Sequence, residues 1–339
     1  MIGEYLLETL CDKYKLSKKK LVNKNNNILV YGEFKEIDDT LNYLINELKI
    51  STANIEKCPS ILYRNVNEIK DNINFLKQTE IKFGNIETCL HVLSTDSKQL
   101  IDTYNYVLSN YGIQCLNKNT SVLSYPVEII QEVEKLNLNM DKGGNLLVAV
   151  SIGFGITSID EIKKIIQSKE FKDHPELFTS ETLAHAKLSD IRDIIQSKEF
   201  QDYPELFAST TLAHAKLVYI QTLLNLPYFK EEKYKKLLSP TVLARGKKMI
   251  TMLPILFEMA EKYGITDYIN TSFILKPPSQ NYALINYLID NGRPLVVDSK
   301  LNSIFGNAPS ILKKKYGIDI KVLIEKYPCN DLSLGGVKK

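Results

Sequence analysis

The chain has 339 residues, 44% of them apolar and 24% charged, enough apolar side chain for a packed core of ordinary proportions. Its 43 Lys and Arg against 40 Asp and Glu leave a formal net charge of +3, and its pI of about 8.3 falls short of the ~9 that marks a strongly basic nucleic-acid-binding domain. No apolar run reaches eighteen residues, so no membrane span is expected, and the five cysteines are scattered and odd in number, which argues against a disulfide framework or a zinc site.

In chain order, Met1 to Leu10 carry two Glu and no basic cluster, which predicts neither a secretory signal nor an Arg-rich transit peptide. A cytoplasmic location is expected, in keeping with reduced thiols. Beyond this start a leucine returns about every thirty residues, closing a short Ser- or Pro-containing phrase ahead of an apolar helix. The position runs through Leu29, Leu62, Leu93, Leu123, Phe154, Leu183, Leu212, Leu243, Leu275 and Leu312, in steps of 33, 31, 30, 31, 29, 29, 31, 32 and 37. The phrase is plainest at Pro59 to Leu62, Thr120 to Leu123, Ser239 to Leu243 and Pro309 to Leu312. A period of this size predicts stacked repeats, because one such unit cannot bury its apolar face alone.

After each leucine, apolar residues recur near +8, +11 and +12, which sets them on one stripe of a helix. The stripe reads Ile69, Ile73 and Leu76 after Leu62, and Ile162, Ile165 and Ile166 after Phe154. It continues as Ile191, Ile194 and Ile195, then Ile220, Leu223 and Leu224, and finally Ile320, Leu323 and Ile324. Gly112 and Gly264, each in a Tyr-Gly-Ile turn, are suited to end helices in the left-handed conformation. Ser158 and Glu161 read as a capping box. Each repeat is then a long helix, a turn, and a short helix finishing at the leucine. Residues 159–188 and 188–217 are near copies, sharing Ile-Ile-Gln-Ser-Lys-Glu-Phe, Pro-Glu-Leu-Phe and Leu-Ala-His-Ala-Lys-Leu at an offset of 29.

The step of 37 predicts an insertion around Asn291 to Pro294. The expected fold is all-α, a right-handed or curved α-solenoid of about ten ~30-residue helical repeats. It forms a single body over 1–328, with degenerate repeats over 1–150, near-identical ones over 159–217, C-terminal ones over 218–328, and a tail over 329–339. A monomer is expected.

Equivalent positions of stacked repeats line up, so an alignment column becomes a surface stripe. Two residues past the leucine the column reads Tyr31, Arg64, Thr95, Tyr125, Ile156, His185, His214, Arg245, Pro277 and Lys314, mostly basic or aromatic in a chain with four Arg and four His. Two positions further on, Lys187, Lys216 and Lys247 repeat. The column precedes the long helix, so it stands beside unpaired N–H groups at the positive end of a helix dipole. Cations there make anion sites, and a row of them, roughly 10 Å apart, would track a phosphate backbone while aromatic members stack on bases. The candidate nucleic-acid-binding residues are therefore Tyr31, Arg64, Tyr125, His185, Lys187, His214, Lys216, Arg245, Lys247 and Lys314. Lysine clusters at 18–20, 235–236, 247–248 and 313–315 add to the positive faces. The competing view of the same column is a solvated edge, since residues between two helices are usually exposed.

Catalytic, metal and cofactor chemistry has no visible home. Gly153-Phe154-Gly155 lacks the third glycine of a dinucleotide loop, the four histidines lack metal-ligand spacing, and no Ser or Cys has a nucleophile-elbow context. No enzymatic activity, cofactor, metal or small-molecule substrate is expected.

The stretch Leu48 to Ser51, Ile55 to Leu62, Ile69 and Ile73 to Lys77 resembles a repeat of the mitochondrial transcription termination factor family. That family joins a Pro-x-x-Leu phrase to a long helix ending in Phe-Leu and a Gly-containing turn. Asn307 to Leu312 and the Tyr-Gly-Ile turns fit the same pattern, and the likeness is sharp over 42–77 and 300–328. The resemblance implies a curved solenoid of three-helix repeats whose concave, positive face binds nucleic acid without catalysis. It maps such contacts to Arg64 and Arg245, and taken literally it implies a mitochondrial location.

Two functions follow from these residues. The first is a nucleic-acid-binding helical-repeat protein that contacts the phosphate backbone of DNA or RNA. The alternative is a protein-interaction solenoid holding a peptide or partner domain in its groove. A continuous positive surface favours the first, a mixed or apolar groove the second.

Overall fold

The computed structural model describes residues 4–23, 26–27, 33–82, 89–138 and 140–329. These are mostly helical; strand is confined, among the described residues, to two antiparallel pairs of dipeptides, Val22–Asn23 with Asn26–Asn27 and Val296–Val297 with Lys300–Leu301. None of the described helices is long and apolar enough to cross a membrane. The chain groups into two compact units, residues 1–164 with 179–185, and residues 165–178 with 186–339.

Unit 1 contains helices α1 (Glu4–Tyr14), α2 (Phe34–Asn42), α3 (Val66–Gln78), α4 (Ser97–Tyr111), α5 (Val127–Glu134) and α6 (Lys142–Gly153). The recurring leucine sits in short helical phrases, Pro59–Tyr63, Leu90–Leu93 and Thr120–Ser124. Leu62, Leu93 and Leu123 are each 2% exposed or less. The predicted stripe residues Ile69, Ile73 and Leu76 of α3 are buried, and so are Ile130 and Val133 of α5.

Polar residues complete this packing where the apolar pattern has gaps. Thr40 Oγ1 donates to the Arg64 carbonyl at 2.9 Å, and Thr103 Oγ1 to the Tyr125 carbonyl at 2.9 Å. Asn72 Nδ2 donates to the Leu93 and Thr95 carbonyls at 3.1 and 2.9 Å. All three side chains are buried. Each ties a long helix to the backbone at the next leucine phrase, pairing carbonyls that are wholly buried at Leu93 and Thr95 and part-buried at Arg64 and Tyr125. Tyr106 and Tyr111 of α4 likewise donate to the one carboxylate of Glu134 on α5, at 2.7 and 2.5 Å.

Helix α7 (Ile159–Gln167) opens on Ser158, whose Oγ accepts from the Glu161 N–H at 3.2 Å. Residues 159–188 form α7, Lys169–Asp173, a 3-10 turn Pro175–Leu177, and α8 (Ser180–His185). Residues 188–217 form the same series: α9 (Leu188–Ile195), Lys198–Asp202, Pro204–Leu206, and α10 (Ser209–His214). Even the caps repeat, with Ser168 accepting from Phe171 and Ser197 from Phe200, both at 3.2 Å.

Unit 2 continues with α11 (Leu217–Leu224), α12 (Pro240–Ala244), α13 (Gly246–Lys262), α14 (Pro278–Asp290), α15 (Pro309–Tyr316) and α16 (Ile320–Lys326). Leu212 and Leu243 are buried as expected, and α11 packs on α13. Gly112 and Gly264 both hold positive φ, +80° and +63°, at helix ends.

The leucine register departs from expectation at three places. Phe154 is 51% exposed, because it caps the end of α6, beyond that helix's buried residues Leu146, Val148 and Ala149. Leu275 is only half-buried, and Ile274 fills its place in the core. Leu312 is buried, but within α15, as a stripe residue. The packing residue of that repeat is Phe305, in the 3-10 turn Ser303–Gly306, 31 residues past Ile274. With that register the step of 37 becomes 31, which removes the ground for an insertion; what the segment holds is a hairpin of Val296–Val297 and Lys300–Leu301, whose turn has Asp298 and Ser299 at φ +47° and +58°. It lies just after Asn291 to Pro294. Leu29 lies outside the described residues.

Candidate nucleic-acid interface

In unit 2 a groove of about 730 Å³ lies at the start of α13. His214, Arg245, Lys247 and Lys248 line it together with Tyr219, Met252, Pro277 and Pro278, and no carboxylate is among its lining residues. The sequence builds it simply. Pro240 starts α12, which ends after one turn at Ala244; Arg245 then serves as the N-cap of the seventeen-residue α13. No side chain caps α13, and its first turn holds no acid. The start of α13 therefore keeps the partial positive charge of the helix dipole, while the Lys248 and Met249 amides bond the Arg245 carbonyl at 2.9 and 3.3 Å. Gly246 is required, because a Cβ there would stand 2.9 Å from Tyr219 Cβ. The Tyr219 ring thus lies over the first residue of the helix.

Helix α11 repeats the arrangement, with Lys216 as an uncapped N-cap and no acid in the first turn. Helix α9 has Lys187 at the same place but carries Asp190 in its first turn. Lys187, Lys216, His214, Arg245 and Lys247 are all exposed. Arg245 Nη1 donates to the Leu275 carbonyl at 2.8 Å, which fixes the side chain and uses one of its five N–H donors.

In unit 1 the column also lines one groove, of about 780 Å³, but with different chemistry. Arg64 and Tyr125 meet Lys57, His91, Asp96 and Phe154 there. Arg64 Nε donates to the Ser94 carbonyl at 2.9 Å, and its guanidinium stands 3.9 Å from Glu68. The N-terminus of α3 is closed by an Asn65–Glu68 capping box, and that of α4 by Asp96, which accepts from Lys98 and Gln99. Anion sites expected at these helix starts are thus already filled by the protein's own acids and amide. The Tyr125 ring lies on Gly153, where a Cβ would stand 2.4 Å from it, and meets Phe154 edge-on at 5.4 Å.

His91 contacts Phe154 at 5.8 Å and Ser121 Oγ through Nε2 at 3.0 Å. Burial pushes its imidazole pKa below the usual 6.5. The folded state therefore favours neutral His91, while the unfolded chain takes up its proton near pH 6.5. This contribution to stability is complete above that pH and declines as pH falls below it toward the folded pKa. Urea midpoints between pH 7.5 and 5 are expected to drop more in the parent than in His91→Gln; equal drops would remove His91 as the cause.

Tyr31 lies outside the described residues. His185 is half-buried at the end of α8 in unit 1. Lys314 is exposed on α15 and lines neither groove. With the packing residues at Ile274 and Phe305, the column position falls on Lys276 and Asn307 instead. Lys276 turns inward, its Nζ donating to the Phe305 and Asn307 carbonyls, and burial lowers its pKa. Sequence reasoning missed Tyr219, seven residues past Leu212, whose role depends on the facing glycine. Lys248 was visible only as half of a lysine pair.

Among the described residues, no group of three or more His, Cys, Asp or Glu is placed to hold a metal ion. Compared with known proteins, the chain matches no protein-family model, no curated protein and no solved structure.

Proposed function

We propose that this chain is a non-enzymatic nucleic-acid-binding protein that holds the phosphate backbone of DNA or RNA in the unit 2 groove. The observation that carries this reading is the convergence of His214, Arg245, Lys247 and Lys248 on an uncapped seventeen-residue helix, with no acid lining the groove. Such a surface attracts polyanions through both fixed charge and the helix dipole. The repeated helix–turn–helix series of residues 159–217 supports a further reading, a helical-repeat solenoid that acts as a monomer. The likeness of residues 42–77 and 300–328 to mitochondrial transcription termination factor repeats points the same way. The unit 1 groove is not assigned this role, because Asp96 and Glu68 occupy its helix starts.

The test is a titration of labelled DNA and RNA across a salt series. Phosphate contacts from the three fixed cations Arg245, Lys247 and Lys248 predict that log affinity falls against log salt with a slope of about −2 to −3. No binding of either nucleic acid at low salt, or binding indifferent to salt, overturns the proposal.

A further inference from the structure

The unit 2 groove has two linings of unlike chemistry. Arg245, Lys247 and Lys248 supply cations, whereas Tyr219, Met252, Pro277 and Pro278 supply apolar surface. Phosphates need only the first. A duplex shows phosphate and sugar on its outside and keeps its bases stacked within, so it leaves an apolar floor unused. A single strand can turn a base away from its backbone and lay it on an aromatic ring.

We propose that the groove binds single-stranded nucleic acid, one base lying on Tyr219 and the adjoining phosphates on Lys247 and Lys248. This rests on the reading of the groove as a phosphate site and adds the strand state to it. Tyr219 is positioned for the task. Its Cβ, Cδ2 and Cγ lie 2.9, 3.4 and 3.5 Å from where a Gly246 Cβ would stand, so the ring is seated beside the residue that precedes Lys247. It is half-buried, leaving part of its surface open. The groove volume of about 730 Å³ lies within the ~300–1,000 Å³ usual for compact organic ligands. Aromatic stacking tolerates any base, so the strand state is selected rather than a sequence.

The experiment measures anisotropy of labelled oligo(dT), oligo(U) and a matching duplex, each about twenty nucleotides long, with the parent protein, Tyr219→Ala and Tyr219→Phe. Circular dichroism confirms that each variant is folded. Both single strands are expected to bind roughly tenfold or more tightly than the duplex. Tyr219→Ala is expected to weaken them by about 5- to 100-fold without changing duplex affinity, and Tyr219→Phe to retain the parent's binding. Single strands that bind no better than duplex, or that ignore Tyr219→Ala, overturn the proposal. The phosphate site itself survives that result if Lys247→Glu with Lys248→Glu still weakens every form. Displacement of the oligonucleotide by equimolar UMP assigns the groove to a free nucleotide and also overturns it. Absence of binding to all three probes removes both readings.

Discussion

The double variant Lys247→Glu, Lys248→Glu is expected to bind nucleic acid roughly a hundredfold more weakly than the parent at ~50 mM salt. Two phosphate contacts are lost, and two negative charges are placed where phosphates would sit. The same change should not lower stability. Both lysines are exposed and lie in the first turn of α13, which carries no acid. Acids there complement the helix dipole, by about 0.3–1 kcal/mol each, so thermal unfolding is expected to stay level or rise slightly. A fall in affinity paired with a fall in stability would instead point to damaged folding. Normal affinity would show that this groove is the wrong surface.

Asn72→Leu is expected to cost about 3 kcal/mol of folding free energy in urea denaturation. Leu has the branching and heavy-atom count of Asn and suits the apolar stripe of α3, so a reading from pattern alone expects stabilisation. The structure reverses the sign. Asn72 is 1% exposed and donates to two carbonyls of the next phrase, while its Oδ1 accepts from Ser97 Oγ at 2.8 Å. Leu would leave two buried carbonyls without a donor. Thr103→Val breaks a single bond of the same kind and is expected to cost less, about 1–2 kcal/mol. A neutral Asn72→Leu would mean that these polar ties do not hold the helices to the leucine phrases.

These ties also mark where sequence reading gave out. Leu62, Leu93, Leu123, Leu183, Leu212 and Leu243 are legible because burial of an apolar side chain recurs with the helix period, and each is buried. Gly112 and Gly264 are legible because a left-handed helix end favours glycine. Asn72 and Thr103 read as breaks in the stripe, since their value depends on carbonyls more than twenty residues away. The register slipped at Leu275 and Leu312, because Ile274 and Phe305 take the core positions while the spacing still looks regular, and at Phe154, which falls past the buried part of α6. Thus Lys314 moved off the column and Lys276 moved onto it, as a half-buried tie rather than a contact. In the groove, His214 and Arg245 could be counted from the leucine. Tyr219 could not, because its place is set by a missing Cβ on another helix.

Equilibrium binding of one labelled nucleic acid to the parent and to Lys247→Glu, Lys248→Glu, across ~50 to 200 mM salt, bears most directly on the central claim. The parent is expected to lose affinity with a log–log slope of about −2 to −3, and the variant with a slope shallower by about 1.4 to 1.8 and weaker binding throughout. Parallel lines of equal affinity for the two proteins would contradict the assignment of the phosphate backbone to this groove.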